Sequence, residues 1–166
     1  FREALQSLDA PNYELRAEAA RRLGEIGDIR AVQDLVATLG DSRGEVRRSV
    51  AIALGRIGAP EAVEPLLHRL REDRGPVVLA SVATALGMLG QGSAIGLLVE
   101  TLSNAQFWWG VRAAAAEALG EIGDSQAIPA LVKALEDEAH KLRWAAAKAL
   151  GLIGDPGAVK PLLRRL

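Results

Sequence analysis

Chemistry needs side chains that donate, accept or coordinate, and this sequence offers few in useful groupings. It has two histidines, His68 and His140, and no cysteine. Without cysteine there is no disulfide, iron–sulfur cluster or thiolate zinc site. No His-Glu-x-x-His motif occurs, which removes the commonest helical zinc site. Ser42, Ser49, Ser81, Ser93, Ser103 and Ser125 lack a nucleophile-elbow context. Gly90-Gln91-Gly92 has no strand pattern before it and no Lys after it, so it reads as a turn rather than a phosphate loop. Glu136-Asp137-Glu138 and the Asp9/Glu14 pair have the residue types for acid–base work but fall where polar turns are expected. We expect no catalytic set, no metal site and no cofactor.

Bulk properties narrow the classes further. The chain has 166 residues, 25% charged and 49% hydrophobic, which suits a packed body rather than a disordered one. A net charge of -1 gives no general attraction to nucleic acid or anionic lipid. No apolar run approaches the ~20 residues of a bilayer span, and no signal peptide opens the chain. A soluble cytoplasmic protein with no membrane contact is expected. Alanine and leucine, 30 and 25 residues, make up a third of the chain, a composition that favours helix.

Seventeen glycines look excessive for helices until their spacing is read. Ten of them fall in five copies of Leu-Gly-x-(Ile/Leu)-Gly, beginning at Leu23, Leu54, Leu86, Leu119 and Leu150. Copies are 31, 32, 33 and 31 residues apart, the signature of stacked repeats. Each period holds two helical patterns. The first opens on an Ala-(Val/Ile) pair and keeps one apolar stripe, as in Ala31-Val32, Leu35, Val36 and Leu39. Asp28, Asp124 and Asp155 stand as its N-caps. The second opens on an apolar–Arg pair, Leu15-Arg16, Val46-Arg47, Val111-Arg112 or Leu142-Arg143, and closes on the Leu-Gly unit. The last Gly of each unit suits a left-handed C-cap. The earlier one lies inside the helix at ~1 kcal/mol against Ala, which predicts a neighbouring helix too close for a side chain. Eleven helices of alternately ~10 and ~13 residues and no strand are expected.

These residues resemble the HEAT-like repeats first described in phycobilisome (bilin) lyases, over essentially the whole chain. The resemblance implies an all-α solenoid, a superhelix of stacked antiparallel helix pairs. Its repeats would span about 1–27, 28–58, 59–90, 91–123 and 124–154, with an unpaired first helix at 155–166. A chain that opens inside a helix at Phe1 and closes on such a helix reads as part of a longer array. In HEAT arrays an acidic residue closing the first helix faces an Arg in the second. That implies the pairs Asp41–Arg47 and Asp137–Arg143. Asn104 stands in the acidic position before Arg112, and Leu79 in the Arg position after Asp73, so the ladder should break near the middle.

The same resemblance places the second helices on the concave face. Most groove positions there hold polar or small residues, but Ile52, Met88, Trp109, Trp144 and Leu152 do not. The second helix of the third unit, Val77 to Gly90, carries no charge. Trp109, Trp144, Met88 and Leu152 are expected to form one partly exposed patch, while Phe107 and Trp108 fill gaps between small-residue helices. Exposed apolar patches rimmed by charge usually mark interaction sites, and Trp and Arg dominate hot spots. The expected function is a scaffold that holds a protein partner in this groove. The alternative implied by the resemblance is a bilin lyase-type subunit that handles a bilin or a phycobiliprotein. Arg16, Arg21, Arg22, Arg47, Arg48 and Arg56 make the first third locally basic. Glu14, Glu18, Glu25 and Glu45 interleave with them, which argues against nucleic acid.

Overall fold

The structure, a computed structural model, describes residues 1–156. Among these residues the chain forms ten α-helices and no strand. They come as antiparallel pairs: α1 (Arg2–Ser7) with α2 (Tyr13–Ile26), α3 (Val32–Thr38) with α4 (Gly44–Ile57), and α5 (Val63–Glu72) with α6 (Pro76–Leu89). Next are α7 (Ile95–Ser103) with α8 (Trp109–Ile122), and α9 (Ile128–Ala134) with α10 (His140–Ile153). The eleventh expected helix lies outside the described residues.

Every second helix has 14 residues. A 3-10 turn takes over the entry to α3, α5, α7 and α9, which leaves α3 and α9 with only 7 residues each, while α7 has 9 and α5 reaches the expected 10. Asp28 and Asp124 cap two of those turns, accepting from the N–H of Arg30 and Gln126. Gly27, Gly58, Gly90, Gly123 and Gly154 all have φ between 64° and 77° and end the second helices in the left-handed conformation.

The interior glycines set how the pairs stack. A Cβ on Gly24, Gly55, Gly87 or Gly120 would lie 2.7, 2.9, 2.7 or 2.6 Å from the Cα of Ala53, Ala85, Ala118 or Ala149. Each of those alanines sits on the next second helix, so backbone meets backbone and no side chain fits. The leucine before each of these glycines, Leu23, Leu54, Leu86 or Leu119, is fully buried, as is Leu150 before Gly151. Consecutive second helices contact each other along their lengths, whereas consecutive first helices barely touch. The row of second helices is thus the more closely stacked side, termed the inner side.

The Arg–Asp ladder exists, but its register differs from the expected one. Arg16 pairs with Asp41 (2.7 Å), Arg47 with Asp73 (2.6 Å) and Arg112 with Asp137 (2.7 Å), each reaching the acid of the following repeat. Asp41–Arg47 and Asp137–Arg143 are not carboxylate pairs. Arg47 and Arg143 instead donate to the backbone carbonyls of Asp41 and Asp137, both at 2.8 Å. One guanidinium thus ties its own turn through carbonyls and the next turn through a carboxylate. Leu79 and Asn104 occupy the two ends of a single rung, the one between the third and fourth pairs. Losing both partners together leaves no buried charge unpaired, the arrangement that costs least.

Candidate functional site

Equal helix length means that each second-helix position lies beside its counterparts in neighbouring repeats. Three such rows line the inner side. One is Ala17, Arg48, Ala80, Ala113 and Trp144; the next is Arg21, Ile52, Thr84, Glu117 and Lys148; the third is Glu25, Arg56, Met88, Glu121 and Leu152. None of these residues is buried, in contrast to the glycines, alanines and leucines of the stacking seam.

The rows divide into two hollows. Toward α10, Trp109 and Trp144 line one cleft of ≈ 410 Å³, floored by Ala113, Ala114 and Ala145. Trp144 is 62% exposed. The two indoles come from adjacent second helices but are offset by about one turn, since the direct counterpart of Trp144 is Ala113. A lysine stands over each ring. The Lys141 ammonium lies 5.0 Å from the Trp109 centroid and the Lys148 ammonium 5.3 Å from that of Trp144, within cation–π range. Lys148 also pairs with Glu117 at 3.7 Å. Glu121 leans over Gly87; burial pushes its pKa up, Glu117 adds to the rise, and Lys148 opposes it.

Toward α2, Arg21, Arg48, Ser49, Ile52, Ala53 and Arg56 line a hollow of ≈ 310 Å³. Arg48, Ile52 and Arg56 share one face of α4 at helical spacing. Arg21 is held by Glu18 and, at 4.0 Å, by Glu25. Arg48 and Arg56 have no carboxylate partner among the described residues.

The structure therefore brings Trp109 and Trp144 together but distributes the other expected residues. Ile52 belongs to the basic hollow. Met88 is 47% exposed and leans its sulfur over Gly55 of α4. Leu152, 56% exposed, lies in the last turn of α10 and lines neither hollow. Phe107 packs against the core as expected. Trp108 does not fill a gap: it is 50% exposed and tilts 52° to Trp109 with centroids 4.7 Å apart. Its ring lies over Gly110, where any side chain would collide with it. The lysines over the two indoles and the unpaired arginines were missed as site residues. The spacing of Arg48, Ile52 and Arg56 on one helix was the available signal.

His68 and His140 are both exposed. Among the described residues no group of three His, Asp or Glu is placed to hold a metal, and no helix is long and apolar enough to cross a membrane. The arrangement offers aromatic faces, fixed cations and apolar floors, groups suited to binding.

Known proteins share this architecture. A chain in the structure of the complex of CpcE and CpcF of phycocyanin lyase from Nostoc sp. PCC7120 is similar at 28% identity and TM-score 0.82, over 97% of this chain and 68% of that one. An engineered protein shows 24% identity and TM-score 0.62 over 98% and 83%. Computationally designed armadillo repeat proteins for modular peptide recognition show 20% and 0.62 over 98% and 87%. The last two likenesses concern the fold alone. A search of curated proteins gave no match. The family model of HEAT repeats matches residues 2–87 and 95–166, nearly the whole chain. This chain belongs to the HEAT-repeat family.

Proposed function

We propose that the chain is a scaffold that holds a partner protein along its inner row of second helices, with the Trp109–Trp144 cleft as the main contact. The observation that carries this is the exposure of Trp144 beside a second indole and an alanine floor. Stacking does not require a large side chain there, since the counterparts Ala17, Ala80 and Ala113 fit the same helix packing. Covering an indole is worth several kcal/mol of gross transfer energy at ~25 cal/mol per Å², part of which is lost to ordering on association. Selection of a random peptide library on the immobilised protein tests the reading. Wild type should enrich peptides with aromatic or apolar anchors, and Trp144→Ala should lose them. Enriched peptides that bind Trp144→Ala equally well would sink the proposal.

A second reading is favoured by the likeness to the phycocyanin lyase chain: a bilin lyase-type subunit whose cleft accepts an open-chain tetrapyrrole. Two indoles with a lysine over each would suit a flat, conjugated and anionic ligand. Adding an open-chain tetrapyrrole to the purified protein should then shift its visible absorption in a Trp144-dependent way. An unchanged spectrum speaks for the first reading.

A further inference from the structure

The basic hollow is not needed for the cleft, and its arginines are not used by the ladder. Arg47, the ladder residue of α4, points to Asp73, whereas Arg48 and Arg56 flank Ile52 on the inner side with no carboxylate of their own. Unpaired guanidiniums around a half-buried isoleucine match an anionic group attached to apolar matter. Between this hollow and the Trp cleft runs α6, whose inner positions Ala80, Thr84 and Met88 are uncharged. The groove therefore changes along its length: α4 carries two arginines without carboxylate partners, the inner positions of α6 are uncharged, and α8 and α10 supply the indoles with Lys141 and Lys148 over them.

We propose that the groove takes one extended polypeptide segment lengthwise, with an acidic block in the Arg21–Arg48–Arg56 hollow and an aromatic side chain in the Trp109–Trp144 cleft. The inference rests on the scaffold reading and adds the chemistry and register of the partner. The register follows from the stacking. Adjacent helices lie 8–10 Å apart, so two to three steps from α4 to the cleft between α8 and α10 span about 20–25 Å. At ~3.3 Å per extended residue, that separates the acidic block from the aromatic anchor by about six to eight residues. A nucleic acid fits the same groove poorly. Its charge is continuous, and it would carry phosphates past Glu117 and Glu121. A polypeptide can be anionic at one end and neutral at the other.

The test uses fluorescein-labelled peptides and anisotropy on the wild-type chain. One peptide joins a glutamate block to a tryptophan through a Gly/Ser spacer of about seven residues, made in both chain directions. The others are the glutamate half, the tryptophan half and a form with lysine replacing glutamate. In one direction the joined peptide should bind at least about tenfold tighter than either half, because the second contact becomes intramolecular. Arg48→Glu with Arg56→Glu should return its affinity to that of the tryptophan half alone. The same double variant should melt at the wild-type temperature, since both side chains are exposed. A joined peptide no tighter than its tryptophan half, or equal binding of the lysine form, overturns the proposal. So does a labelled DNA duplex that binds more tightly than the peptide through the same arginines. The scaffold reading fails separately, if Trp144→Ala leaves the affinity of the tryptophan half unchanged.

Discussion

The stacking seam and the groove lie on the same five helices, yet they follow opposite rules. Along the seam the residue types hardly change: glycine against alanine at Gly24/Ala53, Gly55/Ala85, Gly87/Ala118 and Gly120/Ala149. Along the groove they change at almost every step, from Arg48 through Ala80 and Ala113 to Trp144. Where backbones approach within a side chain's radius, packing admits one solution, and the solution repeats. Where the helix faces solvent, packing is indifferent, and the residue present must be explained by what it meets. Structure is carried by the repeated positions, and binding by those that depart from the repeat.

The largest effects should come from the ladder that locks the seam. The Asp73 side chain is only 1% exposed and accepts from Arg47. Asp73→Ala removes the carboxylate that Arg47 and Arg69 share and should cost about 3–5 kcal/mol, as for other broken buried pairs. Asn104→Ala, on the rung that has no arginine, should cost about 1 kcal/mol or less. Equal losses in urea melts would mean that the rungs do not act as buried pairs.

The same rungs contribute to the acid limb of stability, beside Asp28, which hydrogen bonding from Arg30 lowers to about 2. Hydrogen bonding from Arg16 holds the Asp41 carboxyl below its usual range. Burial pushes Asp73 and Asp137 up, but hydrogen bonds outweigh it and both end lowered. The donors are Arg47 and the Gly75 N–H for Asp73, and the Ala139 N–H and Arg112 for Asp137. A lowered carboxylate contributes stability that is complete above its unfolded pKa and is lost as pH falls through the folded one. The chain should therefore hold full ladder stability above about pH 5 and lose it below about pH 4. Replacing Arg47 by Met and Asp73 by Leu together should remove one rung's share of that loss in urea melts at neutral and acidic pH. An undiminished acid limb would assign it to other carboxylates.

Overpacking the seam comes next. Gly120→Leu should destabilise by about 1–3 kcal/mol, because its Cβ would meet backbone of α10 at 2.6 Å. Gly151 occupies the same helix position in α10 but meets no described atom within 4 Å. Gly151→Leu should stay within about 1 kcal/mol of wild type, on the stabilising side through helix propensity. Similar melts for the two variants would break the link between glycine and close approach.

The smallest effect separates a seam glycine from a groove one. The atoms nearest a Cβ on Gly110 belong to the ring of Trp108, a half-exposed side chain rather than backbone. Gly110→Ala should change stability by less than about 1 kcal/mol while shifting tryptophan emission to the red. A large loss of stability would make Trp108 part of the core.

Much of the seam was legible in the sequence, because glycine has a specific physical reason to recur at 31–33-residue steps. The C-caps and the tight crossings follow from that reason alone. α3 and α9 came out shorter than expected because the Ala of each Ala-(Val/Ile) pair closes a 3-10 turn and the α-helix opens only at the Val or Ile. The ladder runs one repeat further than the sequence spacing implies. Asp41 and Arg47 are near in sequence, but the arginine's reach is forward, and only the backbone carbonyls are near enough behind it. In the groove the departures from the repeat marked Ile52, Met88, Trp109, Trp144 and Leu152 as a set. Sequence could not show which of them meet. Trp109 stands one turn before the counterpart of Trp144 on the preceding helix, and the fold brings the two indoles into one cleft while leaving Leu152 outside. Arg48 and Arg56 were noticed as charge, but their lack of partners is a property of the fold.

The separation of seam from groove is tested most directly by measuring thermal stability and peptide affinity together on Trp144→Ala. The peptide is one selected on the wild-type chain. The account predicts a Kd raised about 30-fold, corresponding to ~2 kcal/mol at a hot spot, with a melting temperature close to wild type, since an exposed indole leaves no cavity. A melting temperature that collapses while the remaining folded protein binds as before would place Trp144 in the core and contradict the account.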